Sequence, residues 1–196
     1  VDAGRTLRQT LTLQLGGQGL ACAYLLLRVW LATGGGGLGR LGLVARSVTS
    51  EGWLALAGVL TAVPVVLGIS SAVVLVLRAM GEQPEPLAHD LLEVIRGAGP
   101  AVLAGFVVAV VVLAPLLEEL IFRAGVQTAL LAWLGPGRRW LVILLAAVLF
   151  TAIHSSVAPH ALPGLLALSV LLGWLYERSG SLWPCVAVHA VFNGLN

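Results

Sequence analysis

Residues 100–134 read PAVLAGFVVAVVVLAPLLEELIFRAGVQTALLAWL, and the only charged side chains among them are Glu118, Glu119 and Arg123. A stretch this apolar belongs in a bilayer. At about 1.5 Å of rise per residue it is also too long for one upright crossing of a hydrocarbon core about 30 Å thick. Pro115 is the one obvious break, so the stretch reads as two spans, 100–117 and 117–134.

Further apolar runs lie near 11–32, 53–79, 140–156, 161–177 and 182–196. The first is the weakest, diluted by Gln14, Gln18, Arg28 and several glycines. Trp30, Trp53, Trp133, Trp140, Trp174 and Trp183 sit close to segment ends, where membrane interfaces favour tryptophan. The sequence thus predicts an all-α, polytopic transmembrane bundle of about seven helices, a single domain over 1–196. Residues 81–99 carry four of the nine acidic side chains and read as a short amphipathic surface helix. The polar opening followed by several membrane segments does not read as a cleavable signal peptide. With two crossings in 100–134, arginines collect on one face and put the N-terminus in the cytoplasm.

Composition agrees. The chain is 59% hydrophobic and 10% charged, where a soluble domain carries roughly 25% charged residues. A net charge of +2 with no basic tract excludes nucleic acid as a partner; membrane lipid is the expected surrounding. The basic residues are all arginine and the composition is rich in Ala, Leu, Val and Gly, which points to a bacterium and its cytoplasmic membrane. Cys22 and Cys185 read as small buried apolar residues.

Ionisable groups in the hydrocarbon cost about 2.5–3.5 kcal/mol each on insertion scales, so those present must be paired, hydrated or functional. Glu119 and Arg123 are four apart on one helix face, in the order that favours an ion pair. Glu118 lies about 100° around the helix and is left over. Two adjacent carboxylates in a low dielectric cannot both ionise cheaply, an environment that suits a general base. Phe150 and His154 share a face, and Thr151, Ser155 or Ser156 can satisfy that imidazole. His189 and Asn193 are again i and i+4. His89 and His160 read as plain surface residues in loops, and Arg28 as a side chain snorkelling to the interface.

Taken together, Glu-Glu-x-x-x-Arg, Phe-x-x-x-His and His-x-x-x-Asn on successive helices resemble the three motifs of the CPBP intramembrane proteases, also called type II CaaX prenyl endopeptidases or Abi-type proteins. The match covers about 99–196. Ala114-Pro115-Leu116-Leu117 before the glutamates and Gly180-Ser181-Leu182-Trp183-Pro184 before the last helix look like the family too. The resemblance implies an endopeptidase cleaving a membrane-associated peptide or protein. In that reading Glu118 is the base acting with His154, His189 and Asn193 support the oxyanion, and Glu119 with Arg123 supports the site. Such families usually have about eight helices.

Cofactors stay open at this point. Glu118, His154 and His189 form a legitimate zinc set, and the same residues suit a metal-free glutamate mechanism; an amide beside His189 favours the latter, with no metal. The zincin His-Glu-x-x-His and the rhomboid Gly-x-Ser-Gly motifs are absent. The competing reading is a non-catalytic binding or immunity protein whose polar motifs hold helices or a partner. A transporter would instead line many helices with polar groups.

Overall fold

The computed structural model describes residues 3–33, 36–45, 47–84, 99–155 and 159–195. Seven helices make up these residues: α1 (Ala3–Thr33), α2 (Gly37–Arg40), α3 (Val48–Ala79), α4 (Pro100–Leu134), α5 (Arg139–Ile153), α6 (Leu162–Ser179) and α7 (Trp183–Leu195). Short 3₁₀ turns, Pro136–Arg138 and Pro159–Ala161, lead into α5 and α6. Five helical segments are long and apolar enough to cross a membrane: Gln9–Leu31, Val48–Ala79, Pro100–Leu134, Pro136–Ile153 and Pro159–Ser179. The shorter α7 is also apolar. The chain is a multi-pass membrane protein.

The division of 100–134 at Pro115 does not occur. Helix α4 runs unbroken, and the seventh helix is instead the single-turn α2. The reason lies in how α4 is wound. Val108–Leu113 and Leu120–Gln127 are π-helical, flanking an α-helical piece, Ala114–Glu119. A π stretch has already broken the i→i+4 ladder just before Pro115, so the missing proline N–H interrupts nothing. With a single passage here, every later segment reverses and the arginine asymmetry no longer orients the chain. The weak first span is nevertheless helical throughout.

Helix α6 packs against α3, α5 and α7, while α1 lies along the first part of α4. Leu168, Leu172, Leu175, Val188 and Cys185 form the buried centre, and both cysteines are free and buried. All six tryptophans are exposed, and Arg28 is exposed near the end of α1. Ser47 caps α3, its hydroxyl accepting from Ser50 N–H at 3.4 Å. The turn after α2 is pinned to the entry of α7. Leu182 N–H donates to Gly42 O at 2.8 Å, and Gly42 has φ +72° with Ser181 Cα only 2.8 Å from where a Cβ would stand. Only glycine fits there.

One reading of a loop residue changes. His160 is buried at 8% exposure rather than on the surface, because Pro159–Ala161 winds as a 3₁₀ turn in contact with α3 and α6. The Ser179-Gly180-Ser181 loop is a structural junction, with Ser181 Oγ buried and donating to Glu51 Oε2 at 3.0 Å. The helix expected within 81–99 falls largely outside the described residues, as do His89 and Ser156.

Candidate functional site

Helices α4, α5 and α7 bring the motif residues together. Glu119 is fully buried and held by partners on both carboxylate oxygens. Arg123 Nε donates to its Oε2 at 2.9 Å with both side chains at 0% exposure. A second guanidinium nitrogen, Nη2, donates to Ser169 Oγ on α6 at 2.8 Å. The other carboxylate oxygen, Oε1, meets His189 Nδ1 at 2.9 Å. An arginine-paired carboxylate can only accept, so His189 Nδ1 carries the proton and its Nε2 holds the lone pair.

His154 ends α5. Its Nδ1 is 2.8 Å from Phe150 O, and a carbonyl can only accept, so here too Nδ1 is the donor and Nε2 the acceptor. Phe150 fixes both rings, lying 4.5 Å from the His154 ring at a 33° tilt and 5.8 Å from the His189 ring edge to face. Thr151 does not serve His154; its hydroxyl donates to Ala147 O at 2.9 Å.

Glu118 is the carboxylate left over. Its Oε2 lies 3.8 Å from His154 Nε2 and 3.6 Å from His189 Nε2, and its side chain keeps 24% of its exposure. Both separations exceed a direct hydrogen bond. With Glu118 ionised, three acceptors face one another with no donor of their own, and the two protons of a water molecule can satisfy two of them at a time.

Asn193, on α7 one turn beyond His189, donates through Nδ2 to Val110 O at 3.0 Å. Val110 lies in the first π stretch, where the altered winding turns a backbone carbonyl towards a side-chain donor. One amide proton is thus committed and one remains. Ser169 and Val110 O were missed from the sequence. A serine on an apolar helix carries little signal, and a backbone carbonyl carries none.

Among the described residues no group of three or more His, Cys, Asp or Glu, the set Glu118, His154 and His189 included, is arranged to hold a metal ion.

Residues 100–195 match the family model described as "Type II CAAX prenyl endopeptidase Rce1-like". Over that segment the chain is similar to the Rce1-like family. The matched residues run from the start of α4 to the end of α7, and contain every motif residue described above. Searches of curated proteins and of solved structures find no match. The match is to a protease family, and the helices make the chain a membrane-spanning protein.

Proposed function

We propose that the chain is a membrane-embedded endopeptidase that hydrolyses peptide bonds of membrane-associated substrates, acting in a bacterial cytoplasmic membrane. The observation that carries this reading is the convergence of Glu118 Oε2 with the unprotonated Nε2 atoms of His154 and His189. A water held by these acceptors is oriented by His154 and gives its proton to Glu118 as its oxygen bonds to the scissile carbonyl carbon. The carbonyl oxygen becomes the oxyanion, facing the remaining Asn193 amide proton, and Glu118 relays the proton it has taken to His189 Nε2, 3.6 Å away, whose N–H then supports the oxyanion until that proton passes to the leaving nitrogen. Glu119 holds the opposite side of the His189 ring and stabilises the imidazolium. The C–N bond then breaks, the leaving nitrogen takes the proton first lifted from water, and a carboxylate and an amine are released.

Two measurements test this reading beyond the glutamates. Asn193→Ala is expected to lower turnover on a membrane-tethered reporter peptide by about 100-fold, the low end for an oxyanion donor. KM should be unchanged. A rise in KM at unchanged turnover assigns Asn193 to binding instead. Protein stripped with a strong chelator is expected to keep its turnover. Loss on stripping that stoichiometric zinc or cobalt restores would make Glu118, His154 and His189 ligands.

A further inference from the structure

The polar character of α4 does not stop at the motif. Glu119, Arg123 and Gln127 recur every four residues, and all three are at 0% exposure. Gln127 Nε2 donates across to α6, to Gly173 O at 3.0 Å and to Glu177 Oε1 at 3.1 Å. Glu177 in turn keeps 16% of its exposure and lies 3.8 Å from the exposed Arg139. Both border a recess of about 230 Å³ that is also lined by Trp140, Ile143, Trp174 and Arg178.

Within this row of side chains two buried atoms lack a protein partner, the donor Arg123 Nη1 and the acceptor Gln127 Oε1. They face the same place on α6. A Cβ on Gly173 would stand 3.0 Å from Gln127 Oε1, 3.0 Å from Ile143 Cγ2 and 3.4 Å from Arg123 Nη1. Buried polar atoms are rarely left unpaired, and at this crowded, side-chain-free position the donor and the acceptor are the partners available to each other.

We propose that Gln127, with Glu177 behind it, is a positioning residue for His189, acting on Arg123 through the Oε1 that lies beside Nη1 and thence through Glu119. The order of the row is Glu177, Gln127, Arg123, Glu119, His189. Three contacts of Arg123 are at stake in one plane: Nε fixes Glu119, Nη2 fixes Ser169, and Gln127 Oε1 beside Nη1 keeps the guanidinium from turning away from either. Glu119 then presents Oε1 to His189 at a fixed angle. The inference rests on the proposed hydrolytic role only for its effect on turnover; the bonding it describes stands apart from that role.

Gln127→Met keeps the volume and removes both polar atoms. It is expected to lower turnover about tenfold at unchanged KM, and to shift the far-downfield proton resonance of His189 Nδ1–H. Glu177→Leu, changed at the accessible end of the row, is expected to act in the same direction and more weakly, while Glu177→Gln, which still offers an oxygen to Gln127, restores wild-type turnover. The resonance reads the row whether or not the chain cleaves peptides, so a failure here is separable from a failure of the hydrolytic reading. The proposal is overturned if Gln127→Met and Glu177→Leu leave both the resonance and turnover per folded molecule unchanged.

Discussion

Glu118→Gln is expected to leave a folded membrane protein whose turnover is reduced by about 10²–10⁴, the contribution of a positioned general base. The change preserves shape and removes the proton acceptor. It also alters the complementarity of the site, because a glutamine presents an N–H₂ towards one or both Nε2 atoms that Glu118 Oε2 now faces at 3.8 and 3.6 Å. The amide then competes with water for both imidazoles. Folding should be little affected, since Glu118 is partly exposed and forms no buried ion pair of the Glu119–Arg123 kind. The check is turnover of the purified variant on a membrane-tethered reporter, alongside its melting profile. Near-normal turnover would remove Glu118 as the base.

Glu119→Gln is expected to act on the fold as well as on activity. Removing one partner of a buried pair leaves an uncompensated charge and costs about 3–5 kcal/mol. Arg123 is fully buried, and among the described residues its guanidinium donates otherwise to Ser169 Oγ. The same change weakens the hold on His189 Nδ1, so the surviving folded fraction should turn over slowly too. Replacing the ion pair as a unit, Glu119→Gln with Arg123→Met, removes the stranded charge and is expected to recover part of the stability but none of the activity. Melting of the single and double variants decides this. A double variant no more stable than either single one would mean the pair is not the unit described.

The sequence carried much of this arrangement because intramembrane charges are few. Glu118, Glu119, Arg123, His154, His189 and Asn193 stand out against apolar neighbours, and spacing alone pairs Glu119 with Arg123 at 2.9 Å. Helix content and tryptophan placement were legible for the same reason. What spacing cannot report is winding. Pro115 reads as a break, but π-helical turns on both sides of Ala114–Glu119 absorb it and carry α4 through as one segment. That winding also presents Val110 O to Asn193, a contact with no trace in residue types. His160 was misread because a loop position says nothing about what packs over it. Gln127, by contrast, stands at the same four-residue interval as Glu119 and Arg123, and the interval was available to be read.

The central claim is that Glu118 lifts a proton from water and does not itself attack the peptide bond. Repeated turnover in ¹⁸O-labelled water, followed by mass spectrometry of both the product and the peptide containing Glu118, tests it most directly. The account predicts one ¹⁸O atom in the new carboxylate and none in Glu118. Label accumulating in the Glu118 carboxylate would show an acyl intermediate on that residue and contradict the account.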